Sequence, residues 1–321
     1  MNVAILSASR KVWLVRAFQE ALAATGGGRV LALDVDPQAA ALQAADAGAL
    51  SPRSDDPGFL SWLADWCHRE AVTLVVPTRD EELPVLAGAS AAFQQAGRRL
   101  VVAPAAAIAD CQDKSRFAVR CAELGFATPR AIAVPPTEAD FPAFVKPRIG
   151  KAGGGAERIA SLAAFADRGY DPEREILQEY AADPEFTIDV FVDWAGQAIS
   201  AVPRERVRIV AGESVVSRTV RDDALATAAV QLVLGLGLRG PATVQAFRAP
   251  DRIRFIEVNP RYGGAATLGF AAGCPSPEWL IRLARGEMVE PRIGRHMVDL
   301  WMFRHSADLI LKSTEARTCA R

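Results

Sequence analysis

The sequence predicts an α/β protein in which a small doubly wound parallel sheet precedes a larger strand-rich unit. Three observations carry that expectation. Over residues 1–103, short apolar runs alternate with amphipathic helical segments, the pattern of right-handed strand–helix–strand crossovers. From Ala143 onward the chain becomes strand-rich, and several runs show the period-two alternation of strands. The length of 321 residues exceeds one ordinary core, so two or three domains are expected, here 1–103, 104–184 and 185–321.

Taken in order, "VAILSA" is a buried strand and "WLVRAFQEALAAT" has helical spacing that stops at Gly26-Gly27-Gly28, a C-cap signal. "RVLALDVD" is the next strand, "FLSWLADWCHREA" an amphipathic helix, "TLVVPT" a strand, "LPVLAGASAAFQQAG" a helix and "RLVVAP" a strand. The first strand-to-helix turn, "SASRKVW", holds no glycine. The phosphate-cradling fingerprint of a dinucleotide fold is therefore absent, which counts against a nicotinamide-dependent oxidoreductase with Asp34 or Asp36 on the ribose. Asp34 is instead a polar strand-end residue or part of a substrate pocket, since open α/β sheets bind ligands beyond their carboxyl strand ends. "DKSRFAVRCAELG" is a helix starting between Asp110 and Lys114 and capped by Gly125. A proline-rich connector leads to "AFVKP", a Gly-rich stretch, the helix "SLAAFADR" and the strand "EILQEY". Then come "EFTIDVFVD", a turn at Ala195-Gly196, "QAISAVPRERVRIV", a helix near 222–236, a hairpin from about 241 to 259, the helix "SPEWLIRLARG" and a strand-like end, "VDLWMFRHSADLIL".

Composition excludes several classes. The 37 basic and 38 acidic residues nearly cancel and no basic block stands out, so no nucleic-acid partner is expected. The N-terminal apolar run is too short for a signal peptide, and "LATAAVQLVLGLGL" is too short to span a bilayer, so no membrane association is expected. Cys67, Cys111, Cys121, Cys274 and Cys319 are scattered, form no C-x-x-C pair and lie far from the three histidines. Neither a structural zinc site nor a disulfide framework is expected, and the setting is a reducing cytoplasm.

The stretch "FIEVNPRYGG" carries chemistry. Glu257, Asn259 and Arg261 stand at every second position with Ile256 and Val258 between them. On a strand this puts a carboxylate, an amide and a guanidinium in a row on one exposed polar face. Pro250-Asp251 marks the hairpin turn. With a three-residue loop, Pro250-Asp251-Arg252, Gln245 falls opposite Glu257, whereas an even-numbered loop sends the two to opposite faces. Convergent oxygen ligands of this type suit Mg²⁺, which takes one or two carboxylates plus substrate phosphates, and Arg261 suits a phosphoryl or carboxylate oxygen. Upstream, Lys146 precedes "GKAGGG", a loop able to wrap phosphate oxygens with backbone N–H groups, though not a Walker loop.

The order of "DK", "FVKP" with its Gly-rich loop, "LQEY…EFTIDVF" and "Q…FIEVNPRYGG" resembles the ATP-grasp superfamily. Within it, the chain is similar to short single-chain ligases related to the large subunit of carbamoyl-phosphate synthetase. "RKVWLVRAFQEAL", "VVPTRDEELPVLA", "CQDKSRF" and "VPRERVRIVAGES" share that likeness, which covers nearly the whole chain. The resemblance implies an ATP-grasp fold preceded by a pre-ATP-grasp domain, with ATP and Mg²⁺ as cofactors and Mn²⁺ able to substitute. It implies that Lys114 and Lys146 meet the phosphates under a lid at Gly153, Gly154 and Gly155. Gln178, Glu179 and Tyr180 would border adenine, and Glu185 the ribose. Gln245, Glu257 and Asn259 would hold the metal, with Arg261 at the transferring phosphoryl group. Arg204, Arg206, Arg218 and Tyr262 are substrate-pocket candidates. The implied reaction is amide formation between a small-molecule carboxylate and an amine by way of an acyl phosphate; phosphorylation of carbamate or a hydroxyl group is the alternative. The resemblance admits a homodimer.

Overall fold

Five parallel strands build the first sheet of the computed structural model, which describes residues 1–150 and 155–312. They are β1 (Asn2–Ile5), β2 (Arg29–Asp34), β3 (Ala47–Leu50), β4 (Val72–Val76) and β5 (Arg99–Leu100), in the order β3-β2-β1-β4-β5. The chain first winds outward to β3 and then crosses back to β4, so the switch point lies between β1 and β4. Helices α1 (Val12–Ala24) and α2 (Ala40–Ala44) cover one face. The other is covered by α3 (Phe59–Arg69) and α4 (Leu83–Gln95). The uninterrupted apolar runs follow from this double cover, since every side chain of β1 from Val3 to Ile5 is fully buried.

Two helices come next, α5 (Ala105–Gln112) and α6 (Lys114–Glu123). The helix expected here is α6; α5, which was not expected, precedes it, and the two meet at Asp113, whose extended backbone lets its carboxylate cap α6 by accepting from the N–H groups of Ser115 and Arg116. A three-stranded antiparallel sheet follows, with β6 (Ala143–Pro147) between β7 (Glu157–Ile159) and β8 (Glu175–Glu179), backed by α7 (Leu162–Arg168). The last sheet is antiparallel and six-stranded. It consists of β9 (Glu185–Val192), β10 (Ala198–Val210), β11 (Glu213–Thr219), β12 (Gly240–Ala249), β13 (Arg252–Asn259) and β14 (Trp301–Phe303), in the order β13-β12-β9-β10-β11-β14. Helix α8 (Asp223–Gly235) packs with α5 and α6 on one face, over Ile188, Val190, Ala201, Val244, Ala246, Phe255 and Val258. Helices α9 (Thr267–Ala271) and α10 (Ser276–Ala284) flank the opposite face at its far end, and α10 meets α1. One core therefore joins the first sheet to the last, with Phe191, Val202, Tyr262 and Trp279 packed beside Phe18 and Leu22.

The hairpin departs from expectation in an instructive way. Ala249 pairs with Arg252, so the loop is two residues and not three. A register shift then pairs Ala246 with Phe255 but Gln245 with Glu257, leaving Ile256 as the extra residue of a β-bulge. The bulge restores the shared face that the even-numbered loop removes. It also moves the apolar alternation, so that Phe255 and Val258, not Ile256 and Val258, enter the core.

Other differences are local. The Ala-rich segment 37–50 forms α2 and β3, β11 and α9 lie in stretches without clear periodicity, and the strand-like end narrows to Trp301–Phe303. Among the described residues no helix is long and apolar enough to cross a membrane. Cys67, Cys111, Cys121 and Cys274 are free and buried, and burial pushes the Cys67 and Cys121 thiols up to about 12. Cys319 lies outside the described residues.

At the switch point, the buried Glu82 carboxylate accepts from the N–H groups of Thr78 (2.6 Å) and Arg79 (2.9 Å) and from Ser7 Oγ (2.8 Å). Glu82→Leu would orphan two N–H donors at about 1–3 kcal/mol each where they are desolvated. Urea unfolding of this variant is expected to show a loss of about 3 kcal/mol; a midpoint like the parent's would mean that the loops hold without it.

Candidate active site

The six-stranded sheet divides the charged residues by face. Register puts Glu185, Thr187 and Asp189 of β9, Arg204 and Arg206 of β10, Thr243 and Gln245 of β12, and Glu257 and Asn259 of β13 on the face opposite α8. Glu257 was expected to be exposed, yet only 8% of it is accessible. The charges of Lys114 and Lys146 act on it from the neighbouring layer. Among the described residues its carboxylate accepts a single hydrogen bond, from Asn259 Nδ2 at 2.9 Å. A buried carboxylate so sparsely bonded, facing two lysines, is a group arranged to meet something more.

Lys146 is 7% exposed, and burial pushes its ammonium down to about 8, against the pull of Glu257 and with Lys114 adding to the shift. Lys114, the first residue of α6, donates to Gly150 O at 3.0 Å and is likewise shifted down by burial. The start of α6 is tied to the end of β6, because Asp113 receives a forked pair of hydrogen bonds from Arg148 (2.9 and 2.6 Å). Gly155, with φ of +75°, marks one end of the Gly-rich loop; Gly153 and Gly154 lie outside the described residues.

Gln178 is buried and pairs with Ala131. The Glu179 carboxylate is engaged by Arg254 and by the Arg130 N–H, so that side chain is structural and only backbone is left to offer. Tyr180 is 40% exposed, with the Arg158 guanidinium 5.0 Å from its ring centre. Glu185 forms an ion pair with Arg206, which also donates to Gln245 Oε1 at 3.0 Å and to Gly212 O at 2.7 Å. Burial raises the Glu185 carboxyl, and Arg206 opposes that shift.

One substrate-pocket candidate leaves the pocket. Arg218 lies on the other face, opposite Glu205 in register and bonded to it at 2.6 Å, with the Trp301 ring beneath. A residue at an odd step from Arg204 along paired strands must face away. Tyr262 is buried edge-on against Phe18 and Phe270 in the interdomain core, where it also lines a small cavity with Asp189, Thr243 and Arg261. Arg204 stays on the polar face, bonded to Asp189 at 2.8 Å.

Arg261 carries the finding that sequence reasoning missed. Its Nε and Nη2 donate to the two oxygens of Asp80, at 2.8 and 2.5 Å, from the loop after β4. Nη2 also approaches Asn259 Oδ1 at 3.4 Å, and Nη1 donates to Tyr262 O. The first domain thus reaches into the centre and holds the arginine by a carboxylate. The visible signal was the acidic run "RDEE" at a strand's carboxyl end.

As a donor set, one buried carboxylate (Glu257) with two amide oxygens (Gln245, Asn259) fits Mg²⁺ when phosphate oxygens complete the shell. Among the described residues no cluster of three His, Cys, Asp or Glu offers a site independent of such a ligand.

Fold and site together define an ATP-grasp architecture, and comparison with known proteins agrees. Residues 171–300 match the family described as ATP-grasp in the biosynthetic pathway with Ter operon, and residues 3–101 match the PylC-like N-terminal domain. The fold is an ATP-grasp fold preceded by a parallel-sheet domain, and the chain resembles the large subunit of carbamoyl-phosphate synthetase. It is 29% identical over 216 residues, 59% of its length, to the carbamoyl phosphate synthase large chain of Methanospirillum hungatei, of which it spans only 20%. Among solved structures it resembles the biotin carboxylase domain of Hydrogenobacter thermophilus 2-oxoglutarate carboxylase (TM-score 0.73, 14% identity, 93% of this chain and 73% of that one). It also resembles the L-amino acid ligase of Bacillus licheniformis (0.69, 18%, 90% and 75%) and N5-carboxyaminoimidazole ribonucleotide synthetase of Thermus thermophilus (0.68, 20%, 91% and 81%).

The two arginines give a structural contrast. The Arg206 side chain is 4% exposed and that of Glu185 23%, so Arg206→Met leaves a largely buried carboxylate unpaired, and about 3 kcal/mol of stability should be lost. Arg218 and Glu205 are about a third exposed, and Arg218→Met should cost less than about 1 kcal/mol. Paired denaturation curves test this; equal losses would mean that the two faces are equally wet.

Proposed function

We propose that this protein is an ATP-dependent carboxylate–amine ligase. The observation that carries the reading is the convergence of Gln245, Glu257 and Asn259 on one buried face, opposite Lys114 and Lys146. A carboxylate is a poor electrophile because its oxygen leaves badly. Transfer of the γ-phosphoryl group to it gives an acyl phosphate and ADP; an amine then attacks the carbonyl carbon and phosphate departs, leaving an amide. Such transfer needs positioning and charge neutralisation more than acid–base chemistry.

The residues divide that work. Lys114 and Lys146 meet phosphate oxygens, and the anionic ligand restores the charge that burial disfavours on Lys146. The chain edge at Glu179 and Tyr180 borders adenine through backbone groups. Glu185 takes ribose hydroxyls on the carboxylate lone pairs that Arg206 does not use. Gln245, Glu257 and Asn259 would hold Mg²⁺, which when bound would supply positive charge to the phosphates. Arg261, oriented by Asp80, presents its remaining N–H to the group being transferred. The loop between Gly150 and Gly155 excludes water that would hydrolyse the acyl phosphate.

The ligase and synthetase among the similar structures support this reading, as does the glycine-free turn after β1, which offers no dinucleotide site. Phosphorylation of carbamate or a hydroxyl group uses the same face, and is distinguished by ADP release that does not need an acid and an amine together.

The test is ADP release across a panel of acids and amines, with calorimetric titration of MgATP and NAD. MgATP should bind and NAD should not. EDTA should abolish turnover, and Mg²⁺ or Mn²⁺ should restore it. Glu257→Gln keeps the shape of the side chain, so its circular dichroism should match the parent while the rate falls by about 10²–10³ or more. A variant that turns over like the parent would reduce the row to a structural strand face.

A further inference from the structure

At the switch point, the loops that follow β1 and β4 hold a cation that the scheme above leaves unused. Open α/β sheets bind ligands at such switch points, and here both rims are pinned. Glu82 is committed to Ser7, Thr78 and Arg79, and Asp34 to the N–H groups of Ser9 (2.7 Å) and Asp36 (3.0 Å). Ser7 and Ser9 sit in the left-handed region at φ of 46° and 47°, an unfavourable conformation for side-chain-bearing residues that pinned loops can maintain.

Between these rims lies the half-buried Lys11. Its ammonium donates to Ser7 O at 3.0 Å. That bond uses one of three N–H donors. Among the described residues no carboxylate forms an ion pair with Lys11, since the two whose charges reach it, Glu82 and Asp34, are held by backbone N–H groups. The arginines around the centre behave otherwise: Arg148, Arg204, Arg206, Arg254 and Arg261 each grip a carboxylate. Composition sharpens the contrast. Only five of the 37 basic residues are lysines, and three of these are Lys11, Lys114 and Lys146. A chain that otherwise uses arginine keeps a compact point charge at these places.

Lys11 does not share the nucleotide's surroundings. Lys11 bonds to Ser7 O in the loop after β1, whereas Lys114 bonds to Gly150 O at the end of β6 and Lys146 lies on β6 itself. Arg261 does act on Lys11. The loop after β4 links the two: Thr78 Oγ1 donates to the same Ser7 O at 2.8 Å, and Asp80, two residues on, holds Arg261.

We propose that Lys11 contacts the acid substrate, its ammonium binding a carboxylate oxygen at the switch point between the ends of β1 and β4. This rests on the ligase reading and adds to it the residue through which the N-terminal sheet touches substrate.

Amine footprinting of the full chain with acetic anhydride at about pH 8, read by peptide mass spectrometry, separates the two ideas, because acylation requires unprotonated amines and burial lowers all three of these lysines. Mg²⁺ with AMP-PNP should protect Lys114 and Lys146 and leave Lys11 labelled. Adding bicarbonate, acetate, succinate or the protein amino acids should then protect Lys11 with at least one of them. Protection of Lys114 and Lys146 alone, with Lys11 labelled equally under every acid, overturns the proposal and leaves the ligase reading standing. No protection at all overturns both. Lys11→Met should raise KM for the protecting acid about tenfold or more, as loss of one charged contact to a carboxylate predicts, without changing AMP-PNP affinity; an unchanged KM also overturns the proposal.

Discussion

The hairpin of β12 and β13 closes on two residues, and by itself that closure would send Gln245 and Glu257 to opposite faces of the sheet. Ile256, inserted as a bulge, rotates the rest of β13 by half a repeat. Phe255 and Val258 then enter the core under α8, while Glu257 and Asn259 join Gln245 on the polar side. The core and the centre depend on the same residue, since moving one strand by one position would bury the carboxylate among Val244 and Ala246 and expose Phe255. Burial of a single hydrophobic face thus fixes the chemistry of the other.

That polar face is stabilised by pairing its charges unevenly. Arginines are neutralised within the protein: Arg204 by Asp189, Arg206 by Glu185, Arg261 by Asp80. Among the described residues Lys11, Lys114 and Lys146 form no ion pair, and burial destabilises their charged form, most clearly at Lys146. The ligand-free protein therefore carries cationic places whose natural complement is an anion from outside. An arginine at Lys146 would be charged regardless of burial and bulkier.

The domains are joined by both kinds of contact. An apolar core running from Phe18 to Tyr262 and Trp279 holds the first sheet against the last, and the Asp80–Arg261 fork crosses the same junction at the centre. Packing sets the domain orientation; the fork turns that orientation into the direction in which one guanidinium points. Tyr262, one residue beyond Arg261, packs in that core and lines a small cavity with Arg261 and Asp189.

The sequence by itself determined the alternation of strands and helices over residues 1–103, the missing dinucleotide turn, the helix at 222–236 and the row Glu257, Asn259, Arg261, because each depends on local periodicity or turn chemistry. The likeness to ATP-grasp ligases extended that to a residue-by-residue expectation. Tertiary structure alone decided the rest. The bulge at Ile256 is invisible locally, because a two-residue and a three-residue turn can be written with the same Pro250-Asp251 signal, and only competition between core faces selects the register. Segments such as α2 and β3 lack a period and form because neighbouring elements cover them. Arg218 seemed equivalent to Arg204 and Arg206 until pairing with β10 set it on the other face. Asp80 and Lys11 carry no motif of their own; they lie 181 residues and a further 69 from Arg261 along the chain, and only the packing of two domains gives them something to hold.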